Sequence, residues 1–415
     1  MRECKTLEFK SDISNTFLKT VSAYANYNGG QILFGVDDNG NSIGIDNPTQ
    51  ACLDIENKIN DTIKPQPQYE LNIQESTSVI KLTVEAGRNT PYMYKSKAYR
   101  RNDSSTVEVD DLELGRLILR GKNINYESLK AAEQNLSFNE LNKNLKDKLH
   151  IDNLDQNILK SLGLYNDIDG FNHAAELLSD GNSYPGIDIA KFGESINIIQ
   201  KRKRLEHMSI IEELNQAVFL YKDYYQYEEI DGMNRITMET VPEAAYREAI
   251  ANALIHRTWD INAYIRVFMF DDRIEITSPG GLPSGLSETE YLNGNVSVLR
   301  NPIIGNIFYR LNLVEILGTG VIRIKDVYKN SLKKPTFEIY DNSIKITLPT
   351  INELDLSNDE YLVYKILTKN TPKSISEITK NVPFGKSKTT DIIKRLIERK
   401  YVISVGTGRG TKYKL

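Results

Sequence analysis

The stretch that most narrows what this chain can fold into lies at its end, residues 356–415. DEYLVYKILTKN (359–370) reads as a helix and SISEITKNV (374–382) as a short second one. In the latter, Ser374 and Glu377 have the spacing of a capping box, in which a hydroxyl and a carboxylate each satisfy an orphan amide of the first turn. SKTTDIIKRLIERK (387–400) gives a third helix, and YVISVGTGRGTKYKL a hairpin around a glycine-rich tip. The segment holds 13 Lys and Arg against 5 Asp and Glu, so it carries +8, and the other 355 residues carry −12 of the overall −4. A small basic module on an acidic body is the electrostatic pattern of a nucleic-acid-binding tail.

Three helices and a hairpin in this order, within sixty residues, make a winged helix-turn-helix arrangement. Its third helix would enter a groove, N-terminal residues toward base edges and lysines toward phosphates. Lys386, Lys388, Lys394 and Arg395 are the expected contacts there, with Arg409 at the wing tip.

The rest of the 415-residue chain has room for further domains. No apolar run reaches the 18 residues that a membrane span needs, and the N-terminus is charged from Arg2 onward, with no apolar signal core. Two cysteines and four scattered histidines exclude a disulfide framework and a structural zinc site. The expectation is a cytoplasmic protein with no membrane association.

Along the chain, SNTFLKTVSAYANYNGG (14–30) reads as a helix capped by Ser14 and stopped by Asn28-Gly29-Gly30. QILFGV (31–36) reads as a buried strand, DDNGN as a tight turn with positive φ at Asn39-Gly40, and SIGI as the return strand. A helix over 48–63 and further strands follow, closing an α+β domain at residue 122. Residues 123–199 read as a linker and helical or strand insert. A third segment, 200–350, has helices at 209–225 and 241–259, a hairpin turned at Asp271-Asp272, a helix at 302–311 and two last strands.

In YREAIANALIHRTW, Glu248, Asn252 and His256 recur every four residues and so share one helix face. A carboxylate beside an amide can polarise a water and ligate a Mg²⁺ that carries phosphates. Gly318 and Gly320 of GTG precede a helix-like run, where backbone amides can approach phosphates. Taken in order, these features resemble the GHKL ATPase family, whose fold is an α/β sandwich. The resemblance implies Glu248 as general base, Asn252 as metal ligand, and Gly280, Gly318 and Gly320 around a bound ATP. It departs in SPGGLPSG, where Ser278 and Pro279 stand in place of the acid that reads adenine.

At the other end, Glu3 and Glu8 of ECKTLEFKSD precede a helix, and QILFGV runs into Asp37-Asp38. Three gathered carboxylates repel unless a divalent cation neutralises them, and such a cation can activate water against a phosphodiester. ECKTLEFKSD, ANYNGGQILFGVDDNGN and KAYRRNDSST together resemble the Schlafen core domain, over residues 1–120. That resemblance implies Glu3, Glu8 and Asp38 as catalytic ligands of Mg²⁺ or Mn²⁺, with Lys10, Arg100 and Arg101 on phosphate. The leading expectation is an α+β nucleic-acid-binding effector that cleaves RNA, in the setting of phage defence, working as a homo-oligomer on RNA or DNA. The rival is a DNA-binding transcriptional regulator with a divergent ATP-binding domain and no nuclease activity.

Overall fold

The structure, a computed structural model, describes residues 2–231, 234–283, 285–294, 298–314, 318–329, 331, 333–351, 356–368, 371–406 and 408–415. It is a mixed α+β chain of two compact units, Met1–Leu129 and Lys130–Leu415.

In the first unit the helix is Phe17–Asn26, one turn later than its polar lead-in suggests, because the Ser14, Asn15 and Thr16 carbonyls take the first amides. It buries Phe17, Leu18, Val21 and Tyr24, and Phe17 meets Phe34 edge-on at 5.2 Å. Each such aromatic is worth roughly 1.5–3 kcal/mol of transfer free energy. The helix stops at a glycine pair that sterics require. Gly29 sits at φ +71, and a Cβ on Gly30 would lie 2.6 Å from the Tyr24 ring. Buried Asn26 clamps the backbone of Tyr92 from both sides: its Nδ2 donates to the Tyr92 carbonyl (2.9 Å) and its Oδ1 accepts from the Tyr92 amide (2.7 Å).

The sheet runs in the order Leu7–Lys10, Gly30–Phe34, Val79–Val84, Tyr69–Gln74. The first pair is parallel, with Glu8 opposite Ile32. The residues around Glu8 thus form a strand, not merely the approach to a helix. The expected return strand after the Asp37–Asn41 turn reduces to a single bridge, Val36 to Ser42. Only Gly40 of the turn takes positive φ, at +84.

In the second unit a six-stranded sheet has the order Ile199–Leu205, Ile187–Phe192, Ile265–Met269, Arg273–Pro279, Ser343–Pro349, Thr336–Tyr340. Only Ile187–Phe192 and Ile265–Met269 pair in parallel. One face presents Ile187, Ile189, Ile265, Val267, Ile274, Ile276 and Leu348, all buried, as period-two alternation demands. Helices Ile210–Tyr225 and Glu243–His256 supply its cover, and Tyr221 stacks on Tyr246 at 4.7 Å between them. Residues 130–199 hold the helices Asn139–Leu149, Gln156–Ser161 and His173–Leu178 and contribute strand Ile187–Phe192 to this sheet.

The chain ends in helices Asn358–Ile366, Ile375–Thr379 and Lys386–Glu398, then a hairpin of Ile403–Val405 with Lys412–Lys414. The Ser374–Glu377 capping box is formed. Leu356, Val363, Ile378, Ile392, Ile393 and Leu396 make a separate small core. Among the described residues, no helix is long and apolar enough to cross a membrane.

Candidate functional site

The helix Glu243–His256 is packed against Ile210–Tyr225, strand Arg273–Pro279 and helix Gly320–Val327. Eight of its 14 residues are therefore buried: Ala245, Tyr246, Ala249, Ile250, Ala251, Ala253, Leu254 and Ile255. The half-buried positions Glu248, Asn252 and His256 fall on one remaining stripe. Asn252 Nδ2 donates to Glu248 Oε1 at 3.1 Å, so the two side chains are held together.

Gly320 lies directly on this pair. A Cβ there would come within 2.4 Å of Asn252 Nδ2 and 2.5 Å of Glu248 Oε1, so a side chain would have to push this pair aside. Gly318 adopts φ +67, a conformation that L side chains rarely take. Between them, the Thr319 hydroxyl is a buried polar atom without a hydrogen-bond partner among the described residues. A cavity opens beside these groups, walled by Ile276, Ile344, Ile346 and Val321 and reached by Asn252, Gly280 and Gly318. An apolar wall with a few convergent polar groups is the usual make-up of a small-molecule site. His256 also lines it, and burial, then the nearby Arg300 cation, lower its pKa to about 4, so the imidazole is neutral at pH 7. Ser278, in the position of the absent acid, donates its hydroxyl to the Ala253 carbonyl at 2.9 Å. In donor chemistry the lining suits a nucleotide, with an apolar wall for a base and glycine backbone and an orphaned hydroxyl for phosphate, but the cavity as it stands holds only about 80 Å³.

The amino-terminal carboxylates are arranged differently. Glu8 is nearly buried on its strand, and both oxygens are engaged by cations, Oε2 by Arg101 Nη1 at 2.7 Å and Oε1 by Lys10 Nζ at 2.5 Å. Glu3 Oε1 accepts the Phe9 amide at 2.8 Å. Asp37 is folded into its own turn by Asn39 and Asn41, and Asp38 is exposed. Among the described residues, no three His, Cys, Asp or Glu side chains are gathered to hold a metal ion. The set does not fit Mg²⁺ or Mn²⁺ in this arrangement, because the central carboxylate is already neutralised by two side chains.

Arg101 is correspondingly not a surface phosphate ligand. Its side chain is 5% exposed and its guanidinium also reaches Thr106 Oγ1 (3.0 Å) and the Cys4 carbonyl (3.2 Å). Arg100 is half-exposed and pairs with Glu113 at 3.4 Å. Lys19, Lys95 and Lys97, which the resemblance did not assign to phosphate, are also exposed. An exposed lysine has no periodicity to betray it.

In the carboxy-terminal segment, Lys386 and Lys394 are exposed, with no ion pair among the described residues. Lys388 pairs with Asp359 at 2.5 Å, and Arg395 with Glu360 at 3.0 Å. Buried Glu360 ties helix Asn358–Ile366 to Lys386–Glu398. Its burial alone would raise the carboxyl pKa, but bonds from the Ser357 amide and side chain, with Arg395 and Arg399, outweigh this and lower it. The side chain of Arg409 lies outside the described residues.

Two family models match the chain. "Schlafen, AlbA_2" matches residues 3–110, and "Putative ATP-dependent DNA helicase recG C-terminal" matches 262–348, just downstream of the Glu248–Asn252 helix. No curated protein matches. The DIP2311 protein from Corynebacterium diphtheriae is similar at 18% identity and a TM-score of 0.48, over 99% of this chain and 92% of that one. The N-terminal domain of a RecG-related putative ATP-dependent DNA helicase from Nitrosomonas europaea is similar at 20% identity and a TM-score of 0.19, over 26% of this chain and 79% of that one. The chain therefore carries a Schlafen-like AlbA_2 domain at residues 3–110 and an ATPase-like domain of the RecG C-terminal type at 262–348.

Proposed function

We propose that this protein is a nucleic-acid-binding regulator whose second unit responds to a bound nucleotide. The observation that carries the nucleotide half is the Glu248–Asn252 pair, with Gly320 seated on it and Asn252 lining an apolar cavity. Asn252 and Glu248 would orient the polyphosphate and its Mg²⁺, and the Gly318–Gly320 backbone would receive phosphate oxygens. A bound triphosphate supplies an energetic phosphoanhydride; the chain's part is to hold it and exclude water. Ser278, in place of the acid that reads adenine, leaves the identity of the base open.

The nucleic-acid half rests on the two domain types and on the basic carboxy-terminal segment, read as a winged helix whose third helix exposes Lys386 and Lys394. We favour binding over cleavage for the Schlafen-like domain because Glu8 is spent on Arg101 and Lys10.

The test is fluorescence anisotropy of labelled duplex DNA and RNA with the full chain, with and without ATP–Mg²⁺. The expected result is salt-sensitive binding, changed by nucleotide in the wild type and indifferent to it in Asn252→Ala. Nucleotide-independent binding in the wild type would remove the regulatory half. Mn²⁺-dependent cutting of the RNA, abolished by Glu8→Gln, would replace binding with catalysis.

A further inference from the structure

We infer that the first unit grips a nucleic-acid phosphate backbone in a basic hollow apart from Glu3, Glu8, Asp38, Lys10, Arg100 and Arg101. The hollow encloses about 430 Å³ and is lined by Thr16, Lys19, Tyr94, Lys95, Lys97 and Tyr99, with Asn15 at its edge. It brings together the start of helix Phe17–Asn26 and the short hairpin after Met93. This inference rests on the nucleic-acid-binding reading and gives it a location.

Charge and shape point the same way. Lys19 and Lys95 are exposed and have no carboxylate partner among the described residues. Lys97 is held by Glu108 at 2.7 Å, so one acid serves three ammonium groups. Each exposed lysine lies beside a ring: Lys19 Nζ sits 5.7 Å from the Tyr99 ring centre and Lys95 Nζ 5.5 Å from that of Tyr94. Such cation–π contacts cost no charge, so both ammonium groups stay available to an anion. The two tyrosines are only 6% and 4% exposed, so they floor the hollow and hold the lysines over it rather than stack on bases. A site with free ammonium groups and no exposed aromatic face reads phosphate, not sequence. The first amides of the helix are already bonded to Ser14, Asn15 and Thr16, so the lysines supply the attraction.

The hollow's size lies in the range of ligand sites. Its occupant is a phosphodiester chain, of RNA or DNA, since the groups present meet only the backbone. By contrast, the motif cations Lys10 and Arg101 are consumed by Glu8.

The test uses the full chain, a labelled single-stranded RNA and a labelled duplex DNA, each titrated at several salt concentrations. The variants are Lys19→Ala/Lys95→Ala and, as a separate site, Lys386→Ala/Lys394→Ala. Removing two phosphate contacts should weaken binding at least about tenfold at moderate salt and flatten the log–log salt slope by about 1.4 for single strands or 1.8 for duplex. The probe that loses affinity identifies the natural strand type. Independently, bound nucleic acid should shield Lys19 and Lys95 of the wild type from acetylation, read by mass spectrometry. If the wild type binds while the Lys19/Lys95 variant keeps its affinity and slope, the hollow is not the site, although the binding reading survives. If the wild type binds neither probe, both fall. Capture of an acidic polypeptide in place of either probe also overturns the inference.

Discussion

Replacing Glu8 by Gln keeps the side-chain volume and removes the charge that both Arg101 and Lys10 meet. Glu8 and Arg101 are 6% and 5% exposed at the side chain, so this is a buried pair. Breaking such a pair from one side costs about 3–5 kcal/mol, since the remaining charge is buried without a counter-ion. The lower end applies here, because Thr106 and the Cys4 carbonyl still receive Arg101 and Lys10 is partly solvated. For a unit spanning Met1–Leu129, the unfolding entropy is about 0.27 kcal/mol/K, so a loss of about 3 kcal/mol lowers its midpoint by about 11 °C. Thermal unfolding followed by hydrogen exchange at the amides of Gly30–Phe34 reports this unit within the full chain. The paired change Glu8→Met/Arg101→Met should recover most of the loss, because apolar replacement of both partners is often neutral. A midpoint for Glu8→Gln within about 2 °C of wild type would refute the ion-pair account. So would a Mn²⁺-induced rise in the wild type that vanishes in Glu8→Gln, which would make Glu8 a metal ligand.

Two further outcomes follow from the second unit. Gly320→Ala places a methyl against Asn252 and Glu248, and should cut nucleotide-induced thermal stabilisation by more than about 1.4 kcal/mol, a tenfold loss of affinity; an unchanged shift in a thermal melt with ATP–Mg²⁺ would separate Gly320 from the nucleotide site. Glu360 has its pKa lowered from 4.5 by its Ser357 bonds and by Arg395 and Arg399, against its burial. Its contribution is therefore complete above pH 4.5 and is lost as pH falls through the lower folded value. Protection of the amides across Asn358–Glu398, taken relative to the intrinsic exchange rate at each pH, should fall below pH 4.5 in the wild type and vary much less with pH in Glu360→Gln; parallel pH profiles would contradict this.

Much of the second unit was legible from residue order alone. The four-residue recurrence of Glu248, Asn252 and His256 determines a shared helix face, since the period belongs to the local backbone. The turn at Asp271-Asp272 and the capping box at Ser374 are likewise local, and each stands where its residues put it. What Glu248 and Asn252 face was not local: Gly320 reaches them from over sixty residues away, by packing. The strand Leu7–Lys10 escaped a reading by periodicity because it is only four residues long and gains its place by parallel pairing with Gly30–Phe34.

By itself the sequence determined the mixed α+β class, the helix faces, the glycine stops and the charge imbalance, because each follows from backbone sterics, side-chain period or simple count. Only the tertiary structure decided which charges are free. Glu8, Arg101, Arg395 and Lys388 look like surface chemistry in one dimension, yet each is neutralised by a partner distant in sequence, 29 to 93 residues away. Lys19 and Lys95 look incidental, yet they line one hollow and, among the described residues, have no carboxylate partner. The Coulomb energy of a charge depends on its distance to other charges and to water, and folding sets both.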